Sequence, residues 1–205
     1  MKASTKMELR EYFAKSMTYA EYIKLIDDLL LEGNTTGPVQ SEAMFGYARL
    51  NRQRMHRIEK TVSVGVDLAE IVRSAQRPMI WLTLTEGWCG DAAQNIPVIE
   101  KIASESNNIE TRYLLRDENL ELMDAYLTNN ARSIPKLIAL DAETFEVLGT
   151  WGARPAAAQD AYVNWKHEGL EKPAIMEKMQ RWYNDDKTLS LQSEFAELVK
   201  KWGRR

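Results

Sequence analysis

Trp88-Cys89-Gly90-Asp91 is the stretch of this 205-residue chain whose residue types and position best suit covalent chemistry. It follows an apolar run, Pro78 to Thr85, and precedes a helical pattern. A cysteine at a helix start meets free backbone N–H groups and the positive end of the helix dipole, which favour a thiolate. Such a position lowers the thiol pKa below its free value of about 8.5. The thiolate is the form that attacks disulfides. The competing reading is a buried, inert cysteine. Asp91 opposes reactivity, because a nearby carboxylate raises a thiol pKa. It is equally suited to cap the helix. Arg132 and Arg154 are placed to hold an anionic group of a thiol cosubstrate, or to sit in ordinary ion pairs.

Cys89 is the single cysteine, so no disulfide can form within the chain and a zinc site built on cysteines is excluded. The two histidines, His56 and His167, lack HExxH-type spacing and read as structural or surface residues. No metal and no cofactor is implied.

The elements around this motif follow from periodicity. Thr18 and Glu21 form a capping box, and Tyr22, Ile23, Ile26, Leu29 and Leu30 continue a helical stripe to a stop at Gly33. Gly37-Pro38 breaks the chain, and Ser41 opens a second helix to about Lys60. Its stripe is Met44, Tyr47, Ala48, Asn51, Met55, Ile58 and Val62, and its other face carries arginines that read as solvated. A short helix from Asp67, taken as its cap, ends at Ala75.

Pro78 to Thr85 suits a strand buried on both faces. Ala92 to about Glu105 is helical, with Pro97 inside it. Ile109–Leu115 is a strand, Leu120–Leu127 a short helix, and Lys136–Leu140 and Phe145–Trp151 a hairpin. Helices follow near Ala156–His167, Pro173–Tyr183 and Leu189–Trp202. The order from Pro78 to His167 is β-α-β-α-β-β-α. It predicts a parallel pair from the βαβ unit, an added antiparallel pair, and helices on both faces.

Trp88-Cys89-Gly90-Asp91, Pro97, Arg132-Ser133-Ile134-Pro135 and Trp151-Gly152 together resemble the thioredoxin superfamily. In that family a Trp-Cys-Gly-x-Cys motif opens a helix kinked by a proline. A cis-proline loop faces the active cysteine, and a glycine lies nearby. The helical extensions and the aspartate after Gly90 look more like bacterial thioredoxin-like proteins with a Trp-Cys-x-Asp-x motif. The resemblance implies a three-layer α/β/α fold around a mixed sheet of about four strands. Residues 67–170 would form that domain, residues 1–66 a helical N-terminal extension packed on it, and residues 171–205 the C-terminal helices. Trp88, Gly90, Asp91, Arg132, Ile134, Pro135, Gly152 and Arg154 would line the site around Cys89.

Two departures bear on mechanism. Ala92 stands where the family has its second cysteine, and Thr83 where it has a buried acid. Dithiol turnover is therefore not expected. Three functions are left open. The first is monothiol exchange, in which Cys89 attacks a protein or small-molecule disulfide and a low-molecular-weight thiol resolves it. The second is a non-redox scaffold with a peptide groove beside Ile134-Pro135. The third is a single-thiol sensor.

Composition restricts the partners. A net charge of −3 gives no global attraction for nucleic acid. No apolar run approaches the roughly 20 residues that span a bilayer. The stretch Met1 to Glu8 lacks a signal-peptide core, so a cytoplasmic location is the expectation.

Overall fold

The run Met79–Thr85 is apolar almost throughout, and in the computed structural model of the chain, which describes residues 5–204, it becomes the central strand β1, buried at every position. Met1–Ser4, the beginning of the N-terminal stretch read above, lie outside the described residues. Three helices precede α4 in the chain: α1 (Lys6–Ala14), α2 (Tyr19–Leu31) and α3 (Glu42–Thr61), with α4 spanning Val66–Arg73. After β1 come α5 (Gly90–Ala103), β2 (Ile109–Leu115), α6 (Leu120–Ala125), β3 (Lys136–Asp141) and β4 (Val147–Trp151). The chain closes with α7 (Ala156–His167), α8 (Lys172–Asp186) and α9 (Leu189–Trp202). Among the described residues no helix is long and apolar enough to cross a membrane.

The sheet order is β2-β1-β3-β4. β1 runs parallel to β2, with Met79 opposite Ile109, and antiparallel to β3, with Ile80 opposite Leu140. β4 pairs antiparallel with β3. The sheet is mixed and four-stranded, with helices on both faces.

Alternation along β1 sorts its side chains into two cores. Ile80, Leu82 and Leu84 pack with Tyr22 and Ile26 of α2, Ile96 of α5 and Tyr113 of β2. Met79 and Trp81 pack on the other face with Ile102 of α5 and with Phe195, Val199 and Trp202 of α9. The Trp81 and Phe195 rings meet edge to face at 5.3 Å, and Trp151 meets Phe195 at 5.5 Å. Trp202 is buried in this core, whereas Trp165 and Trp182 are only partly buried. The terminal helices therefore supply layers of the core.

Several boundaries differ from the sequence expectation, each for a local reason. The N-cap of α4 is Gly65 rather than Asp67, which lies in the first turn. Gln192 of α9 fixes this entry by accepting from the Gly65 N–H at 2.8 Å and donating to Ser63 O. Phe145 is outside β4 because its backbone is left-handed (φ 59°) and its ring packs against Phe13. Tyr47 is exposed although it falls on the predicted stripe of α3. A helix that the periodicity does not announce, α1, precedes the Thr18 box, and Thr5 and Glu8 form a capping box at its start.

Candidate functional site

Beyond β1 the chain turns through Glu86-Gly87-Trp88 and enters α5 with Cys89 as the N-cap, two residues earlier than the periodicity suggests. The turn is held from the N-terminal part of the chain. Thr36 Oγ1 accepts from the Gly87 N–H at 2.9 Å, and Asn51 of α3 donates to Gly87 O at 3.2 Å. Arg54 donates to Asn51 Oδ1 at 2.9 Å, which fixes that amide. The polar Asn51 on an otherwise apolar stripe was the sequence signal for this contact.

Three loops converge on Cys89. Its thiol donates to Ile134 O at 3.3 Å. The Ile134-Pro135 peptide bond is cis, as is Gly152-Ala153. Gly152 has φ 122°, and a Cβ there would lie 2.0 Å from Pro135 O, so only glycine fits the approach. Cys89 is 8 % exposed and Ile134 5 %, and Pro135 is also buried.

Asp91, in the first turn of α5, does not cap the helix. It forms a part-buried ion pair with Arg154, whose Nε also donates to Oδ2 at 3.1 Å. Tyr183 of α8 donates to Asp91 Oδ1 at 2.9 Å. Arg154 further donates to Gln159 and lies over the Tyr162 ring, so its donors are engaged. Arg132 turns to Asp124 of α6 in an exposed bidentate pair at 2.6 and 2.7 Å, and its role there is to tie the proline loop to α6. Trp88 is half-buried under the Arg116 guanidinium. The structure thus gathers Cys89, Gly90, Asp91, Ile134, Pro135, Gly152 and Arg154, while Trp88 and Arg132 face other partners. Tyr183 was not foreseen, and at 92 residues from Asp91 it has no local pattern to betray it.

The electrostatics oppose the expected activated thiol. Burial, and after it the Asp91 charge, push the Cys89 thiol up to about 12. The N–H groups of Ala92 and Asp91 and the Arg154 charge act in the other direction and lose. The sequence expectation of a lowered pKa is therefore corrected. Thr83 is buried where the resemblance calls for an acid. A buried carboxyl exists nearby in Glu86, which accepts the Asp117 N–H at 2.9 Å and is pushed up by burial. Among the described residues no group of three or more His, Cys, Asp or Glu could hold a metal ion.

The comparisons agree with this architecture. A solved structure of a protein of unknown function from Pseudomonas aeruginosa aligns with a TM-score of 0.62 and 17 % identity, covering 98 % of each chain. An HIV epitope scaffold aligns with a TM-score of 0.58 and 18 % identity, covering 93 % of this chain and 96 % of its own. At these identities the likeness is one of fold. No curated protein matches. A family model described as thioredoxin matches residues 37–174, more than half of the chain. With its mixed sheet, its helix-capping cysteine and the facing Ile134-Pro135 loop, this chain belongs to the thioredoxin superfamily.

Proposed function

We propose that this protein is a non-redox member of its superfamily, in which the thioredoxin fold serves as a binding scaffold and Cys89 is a packing residue. The observation that carries this reading is the bond from the buried Cys89 thiol to Ile134 O. That bond ties the motif to the proline loop and uses the thiol as a donor, which requires its proton. A thiol pushed up to about 12 is protonated at neutral pH. The thiolate that begins disulfide exchange is then scarce. The chain has no other cysteine to resolve a mixed disulfide.

Monothiol exchange is the second reading, and one observation favours it. The Asp91 and Ala92 N–H groups act to lower the pKa of the sulfur, as does Arg154.

Turnover separates the two. A mixed disulfide of a small thiol with a peptide is offered to the protein with excess small thiol. The scaffold reading expects a rate equal to that of Cys89→Ser. A rate at least tenfold above that variant, abolished by alkylating Cys89, would establish exchange and overturn it.

A further inference from the structure

An open cleft of about 500 Å³, not lined by Cys89, lies between the C-terminal half of α3, Gln94 of α5 and the turn joining α8 to α9. Its apolar wall includes Ile58 and Val62. Its charged lining is Arg57 and Lys187, and no carboxylate lines it. Elsewhere the arginines find acids: Arg52 pairs with Asp27, Arg116 with Asp117, Arg132 with Asp124 and Arg154 with Asp91. Among the described residues Arg57 and Lys187 form no ion pair. Neither does Arg54, one turn along α3, which is half-buried with Asn51 as its partner. Arg57 donates to Asn184 Oδ1 at 3.5 Å, a neutral partner, so the two cations of the lining are without a carboxylate partner there.

The backbone adds an independent observation. Lys187 and Thr188 both have left-handed backbones, at φ 50° and 69°. A non-glycine residue in that region is strained, and glycine is the usual residue just past a helix. The chain nevertheless carries a lysine there, and that lysine lines the cleft.

We propose that the cleft binds a small organic anion, a phosphate or carboxylate on an apolar body, with Arg57 and Lys187 taking the charge and Val62 and Leu189 the body. This site is independent of whether Cys89 turns over. It also has a route to Cys89. Tyr183 lines the cleft and donates to Asp91, the residue whose charge raises the thiol pKa.

The test is a titration of the full chain with phenyl phosphate, followed by the amide resonances of a nitrogen-15-labelled sample. Saturable shifts at Arg57, Lys187 and Thr188 are expected at millimolar concentrations. Arg57→Gln should weaken binding at least fivefold. Lys187→Gly should weaken it similarly while raising the urea midpoint, because the strain is relieved and the ligand is lost. A residue placed there only for folding would not separate the two readouts. No saturable shift up to about 10 mM, equal shifts with neutral benzyl alcohol, or unchanged affinity in Arg57→Gln would overturn the proposal. At saturation the alkylation rate of Cys89 should change at least twofold in the parent protein and stay constant in Tyr183→Phe. Binding with no such change would overturn the route to Cys89 while leaving the cleft as a site.

Discussion

Asp91 and Arg154 stand 63 residues apart in the chain and meet in a part-buried ion pair against the first turn of the helix that Cys89 caps. The pair has two effects. It closes the site by joining the Trp151–Arg154 loop to α5. It also places a carboxylate near the sulfur, with the compensating guanidinium acting as the weaker influence on the thiol.

Asp91→Asn should therefore lower the Cys89 pKa and speed alkylation at pH 8 to 9. The same change leaves Arg154 without its counter-charge. Removing one partner of a fully buried pair costs about 3–5 kcal/mol; this pair is part-exposed and asparagine can still accept from Tyr183, so the loss should lie below that range. Urea unfolding and alkylation kinetics on one sample check both. A thiol pKa that rises or stays constant would show that Asp91 does not act on it through its charge.

Gly152→Ala should destabilise by more than about 3 kcal/mol, since strain and a backbone collision with Pro135 O act together. Gly33 is the control. Its φ is 75°, but the space around it is open, so Gly33→Ala should cost only about 1–2 kcal/mol. Similar losses at the two positions would mean that the Pro135 approach is not tight.

Phe195→Ala should cost about 3–5 kcal/mol, as for a fully buried aromatic. The ring lies between Trp81 and Trp151, so the loss should appear in a single unfolding transition of the whole chain. A separate early transition would make α9 an appendage.

The alkaline limb of stability should report the thiol. The folded pKa is raised from about 9, so the unfolded chain releases the Cys89 proton first as pH rises. Stability from this group is complete below pH 9 and declines between pH 9 and about 12. The slope is at most about 1.4 kcal/mol per pH unit. Buried tyrosines such as Tyr22, raised above 10 by burial, add to it from pH 10 upward. The comparison is therefore with Cys89→Ala between pH 9 and 10, where the parent should lose stability faster. Equal slopes would argue that the folded thiol titrates normally.

Much of the sheet was legible in the sequence because β1 is buried on both faces and reads as one apolar run, and because the hairpin turn is short. Cys89, Ile134, Pro135 and Gly152 were legible as a set through the resemblance to the thioredoxin superfamily, and they meet because each lies in a loop beyond a strand end. What periodicity could not supply was the partner of each charge. Arg132 and Arg154 looked alike, yet one is exposed on Asp124 and the other largely shielded on Asp91. The sign of the Cys89 shift was equally hidden, since it depends on burial by α2, α3 and the proline loop rather than on the helix start alone.

The most direct test is the rate of Cys89 alkylation between pH 6 and 11, with Cys89→Ser as the blank. A retired, protonated thiol predicts slow reaction with no inflection below pH 9. An inflection below about 8.5, the value of a free cysteine, would mean an activated thiolate and would contradict the non-redox account.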